Sequence, residues 1–142
     1  MLTSWFSTPQ YKIGFEDVHY AIRHPSTHII INTLPTDTQD CLIKNTISME
    51  IEERTMNEML QQYTFKDKRI IVYGKHAADT TVETKYKQLK TLGFPHVYVY
   101  VGGLFEWILL QDIYGTDEFP TTKRVVDILR YKPAGTFSQI LR

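Results

Sequence analysis

The sequence predicts an α/β fold: one domain with a mostly parallel central sheet of about five short strands and helices on both faces. Three observations carry this. Arg69-Ile-Ile-Val-Tyr73 is a short apolar, β-branched run, the composition of a strand covered on both faces. After the small-residue loop Gly74-Lys-His-Ala-Ala-Asp79 comes a helix-patterned stretch from Thr80 to Leu92, a stop at Gly93 and a second strand run, His96-Val-Tyr-Val-Tyr-Val101. Strand, loop, helix, strand is the βαβ order, whose crossover is right-handed and makes a parallel pair. Third, Gly102-Gly103 turn the chain from that strand into an apolar segment containing Trp107.

The remaining elements follow in order. Residues 1–12 carry Trp5, Phe6 and Tyr11 among polar residues and read as an N-terminal arm that lays its aromatics on the domain edge. Phe15, Val18, Ala21 and Ile22 have helical spacing, with Glu16 and Asp17 in the first turn where the helix dipole favours acids. Pro25 ends that helix, because the residue before proline avoids the α region. Ile29-Ile-Ile31 predicts a central strand, and Asn32 to Asp40, with Pro35, a loop. Leu42 and Ile43 return to the core, Thr46 to Met49 is expected as a short strand, and Glu50 to Gln62 as a helix with Ile51, Met56, Met59 and Leu60 inward. Thr64 to Lys68 is a polar connector. Leu109, Leu110 and Ile113 continue the Trp107 segment as a helix to Tyr114, closed by Gly115. Val125, Val126, Ile128 and Leu129 predict a last helix from Thr121–Thr122. The domain is expected over 13–131, with 132–142 a C-terminal tail in which Phe137, Ile140 and Leu141 are apolar.

Composition narrows the function classes. The 142 residues hold 16 Lys plus Arg and 16 Asp plus Glu, a net charge of zero. Nucleic acid and anionic membrane attract a basic surface, so neither is expected as a partner. No apolar run approaches the roughly 20 residues of a membrane span. One cysteine permits no internal disulfide and suits a reducing, cytoplasmic compartment; the N-terminus lacks the basic-then-apolar pattern of a secretory signal.

The segment Leu92-Gly-Phe-Pro-His-Val-Tyr-Val-Tyr-Val-Gly-Gly-Leu-Phe-Glu-Trp107 resembles a signature of the rhodanese-like domain family, G-F-x-x-V-x-x-x-x-G-G-x-x-x-W, in which Gly93, Val97, Gly102, Gly103 and Trp107 match. Ile29-Ile-Ile-Asn32 followed by Leu42-Ile-Lys-Asn-Thr-Ile47 is similar to that family's early strand and the segment after it. Ile70-Ile-Val-Tyr-Gly74 resembles the strand that delivers its catalytic cysteine. The likeness spans roughly residues 13–115. It implies the family's fold, which some protein phosphatases share. Physically, the paired glycines permit a sharp strand-to-helix turn, and Trp107 is expected buried beneath it against Val72, Val97 or Val99.

The departures shape the functional expectation. Where active members carry the nucleophilic cysteine, opening a loop whose amides cradle an anion, the resemblance places Gly74, which has no side chain to carry sulfur or phosphate. Asn32 stands where aspartate is usual, Leu34 where an arginine would be, and Asp79 near a position often basic. A carboxylate at a helix start takes the amides an incoming anion would use, and Thr80 with Glu83 has the spacing of a capping box. The expected site is therefore a degenerate loop, Gly74, Lys75, His76, Ala77, Ala78, Asp79 and Thr80, with no catalytic residue. The expected function is a catalytically inactive module that binds an unidentified protein partner or regulates, without cofactor or metal.

Two alternatives remain from the same residues. Lys75, His76 and Thr80 could form an anion or phosphopeptide pocket over residual amides. Cys41, the single thiol, could act as a sulfur carrier; the competing reading is a small core residue beside Leu42. Other constellations resolve blandly. His24 and His28 have helical i, i+4 spacing broken by Pro25, which argues against a metal pair. Glu50, Glu52 and Glu53 suit the start of a helix as solvated charges, and Tyr98, Tyr100, Phe105, Trp107 and Tyr114 suit a core.

Overall fold

The computed structural model describes residues 10–137. Trp5, Phe6, Ile140 and Leu141 lie outside them. The elements in order are β1 (Lys12–Ile13), α1 (Phe15–Arg23), β2 (His28–Asn32), α2 (Met49–Gln61), β3 (Arg69–Tyr73), α3 (Thr81–Leu92), β4 (Val97–Tyr100) and α4 (Gly103–Tyr114). Short 3-10 turns lie at Thr36–Thr38, Thr64–Lys66 and Ile128–Tyr131. The four strands make one all-parallel sheet in the order β1-β4-β3-β2. The βαβ unit expected around β3 and β4 is present, and among the described residues the sheet has four strands where about five were expected. Among the described residues, no helix is long and apolar enough to cross a membrane.

The strand residues alternate between two cores because side chains of a strand point to opposite faces. Ile30, Ile71, Tyr73 and Tyr100 join Val18 and Ala21 of α1 and Leu104, Trp107 and Ile108 of α4. Ile31, Ile70, Val72, Val97 and Val99 join Met56 and Met59 of α2 and Val82 and Leu89 of α3. Both sheet faces are thus covered, which accounts for strands that read as continuous apolar runs.

Trp107 is fully buried, but on the α1/α4 face; the contacts expected with Val72, Val97 or Val99 do not form, since those side chains point to the other face. Instead its ring meets Tyr100, Phe119 and His19 edge-on, and its Nε1–H donates to Pro120 O at 3.1 Å. That bond leaves no unpaired polar atom on the buried ring.

Two further expectations need correction. Thr46 to Met49 is not a strand: Thr46 makes one parallel bridge to Ile30 and Ile47 N–H donates to Ile30 O at 2.9 Å. Asn45 has a left-handed backbone (φ 71°) and Met49 already begins α2, so too little extended chain remains between them. The helix expected from Thr121–Thr122 is also absent. Thr121 bridges antiparallel to Ile43, Thr122 N–H donates to Leu42 O at 2.8 Å, and Lys44 N–H donates to Pro120 O at 3.1 Å. Pairing with residues 42–44 uses backbone groups a helix would need for itself, and only Ile128–Tyr131 coils. Val125 and Ile128 pack against the core while Val126 is 99% exposed.

Replacing Trp107 with Ala should cost about 3–5 kcal/mol, the range for truncating a fully buried aromatic. A urea titration that returns a loss below roughly 1 kcal/mol would contradict the buried assignment.

Candidate functional site

The sheet order opens a crevice between the carboxyl ends of β3 and β4. The loop after β3 leads to α3 on one face and the turn after β4 leads to α4 on the other, the arrangement at which open α/β sheets bind ligands. In this chain the crevice is drawn tight. Gly103 has φ +68°, and a Cβ there would lie 2.9 Å from Gly74 O and 3.0 Å from His76 N, so only glycine fits. The first free amides of α4 are also engaged: Leu104 N–H donates to Gly74 O and Phe105 N–H to Lys75 O, both at 2.9 Å.

Inside the loop, Asp79 takes two of the remaining amides. Its Oδ2 accepts from Lys75 N–H at 2.9 Å, and its Oδ1 accepts from Thr81 N–H at 3.0 Å and from the Thr81 hydroxyl at 2.6 Å. Burial alone would raise the Asp79 carboxyl, but the Lys75 N–H, the Thr81 hydroxyl and N–H and the nearby His76 together outweigh it and hold the carboxyl below its ordinary range. Ala78 N–H donates to His76 Nδ1 at 3.1 Å, and Asp79 N–H to His76 O at 3.2 Å. Asp79 is the cap of α3. The box expected between Thr80 and Glu83 does not form, since Thr80 makes no side-chain cap bond and Glu83 instead accepts from Tyr11 Oη at 3.4 Å.

The carboxylate also fills the space beside Gly74. A Cβ on Gly74 would come within 2.5 Å of both Asp79 Oδ2 and Val82 Cγ2. Lys75 and His76 are half-buried, and Ala77, Ala78 and Thr80 are exposed.

A model of the rhodanese-like domain family matches residues 16–110. The chain belongs to this family. Solved structures agree at the level of fold. A Bacillus halodurans protein, BH2092, superimposes with a TM-score of 0.58 at 23% identity, covering 74% of each chain. A full-length Lactobacillus plantarum protein gives 0.56 at 19% identity over 87% of this chain and 93% of its own. A yeast protein tyrosine phosphatase of the rhodanese family gives 0.58 at 14% identity over 84% of this chain and 96% of its own. No curated protein matches the chain in sequence.

The other residues singled out in this rhodanese-like domain fall around the loop or away from it. Asn32, at the end of β2, is buried and builds the following turn: its Oδ1 accepts from Leu34 N–H at 3.0 Å and from Gln39 Nε2 at 2.8 Å. Leu34 points into the core. Thr33 joins the loop from outside, its hydroxyl 2.8 Å from that of Thr81. Thr33 and Thr81 were missed in the sequence because isolated threonines in a loop carry no pattern. Cys41 is 1% exposed on the α1/α4 face, where its Sγ–H donates to Lys123 O at 3.1 Å. Burial pushes its thiol pKa up, so little thiolate forms. His24 and His28 have ring centres 6.3 Å apart, and the described residues hold no cluster of three potential metal ligands.

Asp79→Ala should cost about 0.5–2 kcal/mol through the lost cap and should free the Lys75 and Thr81 amides. Phosphate at constant ionic strength should then raise the melting temperature of the variant and leave wild type unchanged. A phosphate gain in wild type that disappears in Lys75→Ala or His76→Ala would identify a working anion site instead. Because the folded Asp79 pKa lies below its unfolded value, its stabilisation is present above roughly pH 4 and lost as pH falls through the folded value. Urea titrations of wild type against Asp79→Ala should therefore draw together as pH falls from about 4 through the folded value.

Proposed function

We propose that this rhodanese-like domain is catalytically inactive and serves as a protein-interaction or regulatory module, in the cytoplasm. One observation carries the reading: the place beside Gly74 where a nucleophilic side chain would project holds the Asp79 carboxylate. A thiolate there would need a positive surrounding, and it would meet a negative charge at contact distance. The same carboxylate bonds the Lys75 and Thr81 amides, which weighs against a phosphopeptide pocket at Lys75, His76 and Thr80. Cys41 as a sulfur carrier is disfavoured by its burial and raised pKa.

A partner role is supported by the outer face of α4. Leu109 and Ile113, one helical turn apart, are both exposed, Ile113 to 70%, and Val126 stands out from the segment that flanks the same helix. Aliphatic side chains displayed so fully gain nothing for the domain by itself.

The purified chain should show neither thiosulfate sulfurtransferase nor phosphatase turnover, and Gly74→Cys alone should not create it. Turnover abolished by Cys41→Ala would overturn the proposal in favour of sulfur transfer. For the partner role, proteins recovered on wild type should be lost on Ile113→Asp with Val126→Asp, provided the variant melts as wild type does. Recovery unchanged by these substitutions would move the contact surface elsewhere.

A further inference from the structure

At the opposite end of the sheet from the Asp79 loop, a cleft of about 310 Å³ lies between α1 and the amino ends of the strands. Its floor is the apolar sheet surface: Ile71, only 2% exposed overall, with the half-buried Ile13 and Tyr98 beside it. Its mouth is polar. His28 and Arg69 are register partners on the parallel strands β2 and β3, so both side chains leave the sheet on the α1 side.

This mouth is ordered before anything binds. Tyr20 stacks on His24 at 3.9 Å between ring centres and meets the His28 ring edge-on at 5.2 Å. His28 Nδ1 is held 2.8 Å from the Thr27 hydroxyl, which leaves Nε2 as the ring nitrogen for a ligand. Arg69 N–H donates to Thr27 O at 2.9 Å and fixes the start of β3, while its guanidinium forms no ion pair among the described residues. Burial, then the Arg69 charge, lower the His28 pKa, so the two groups do not repel at neutral pH.

We propose that this cleft binds a small organic monocarboxylate with an aromatic body. The planar guanidinium of Arg69 matches the two oxygens of a carboxylate as a fork, and His28 Nε2 lies on the same side. The ring rests on Ile13 and Ile71 between the aromatic walls Tyr20 and Tyr98. Asp17 lines the same cleft and carries the opposite charge, which disfavours a dianion such as a phosphate ester. The volume lies at the lower end of the roughly 300–1,000 Å³ of small-molecule sites, which fits one or two fused rings. The site is separate from the Asp79 loop, and the inference does not depend on the function proposed above.

The test is an amide NMR titration of the full chain with indole-3-acetate, run beside indole and inorganic phosphate. Indole-3-acetate should give saturable shifts at Ile13, His28, Arg69, Ile71 and Tyr98 and raise the melting temperature. Indole lacks the carboxylate and phosphate lacks the ring, so each should bind at least about tenfold more weakly. Arg69→Gln should weaken indole-3-acetate by about tenfold or more without shifting the ligand-free melting temperature, and Arg69→Lys should fall between. The proposal fails if shifts do not saturate by on the order of 10 mM ligand, a very weak site. It fails equally if they map to residues 74–80, if Arg69→Gln binds as wild type does, or if indole or phosphate binds as tightly as the acid.

Discussion

The contact on which the upper end of this domain depends is the seat of the β3 loop on the first turn of α4. A helix start presents amides that need acceptors, and here Leu104 and Phe105 find them in the carbonyls of Gly74 and Lys75. Once those carbonyls face α4, the Lys75 amide faces the other way, into the loop. It must then be satisfied from within, and Asp79 supplies the acceptor. Gly103 makes the approach possible because any side chain there would collide with the loop backbone. The closed crevice therefore follows from a chain of hydrogen-bond obligations that begins at a glycine.

Each face of the sheet has its own way of meeting polar demands. The fully buried side chains of the α2/α3 layer carry no oxygen or nitrogen and ask for nothing beyond packing. The α1/α4 layer holds Trp107, Tyr73, Tyr100 and Tyr131, and three of these have partners for their polar atoms. Trp107 reaches Pro120, Tyr73 Oη accepts from Ile43 N–H at 3.1 Å, and Tyr100 Oη donates to Glu106 at 2.7 Å. Among the described residues the buried Tyr131 hydroxyl has no hydrogen-bond partner, a local cost to the fold.

Much of the architecture was legible in the sequence because both strands of the central βαβ unit are apolar apart from Arg69 and are followed closely by glycine. Family membership could be read from Gly93, Val97, Gly102, Gly103 and Trp107, which keep their spacing because a turn and a plug need it. Periodicity failed where tertiary pairing outcompeted it: Val125 to Leu129 have helical spacing, yet Thr121 pairs with Ile43 and draws the chain out. Trp107 was placed correctly inside but on the wrong face, since a turn through two glycines does not announce which side the following helix takes. At the site, Asp79 could be anticipated as a cap from its place before α3. The rival Thr80–Glu83 box could not be separated from it by spacing alone, because Glu83 is taken by Tyr11, 72 positions away.

The return of residues 119–131 to the α1/α4 layer has a consequence for how the chain assembles. Thr122 bonds Leu42, Cys41 bonds Lys123, and Arg130 pairs with Asp40 at 3.2 Å. Phe119 and Tyr131 are themselves part of that core. Its completion thus needs residues 119–131, whereas the α2/α3 layer draws its buried side chains from residues 31–99 alone. The α1/α4 layer therefore closes over longer contact distances along the chain than the α2/α3 layer. A chain cut before residue 119 would leave the Trp107 ring without its Phe119 contact and its Pro120 acceptor.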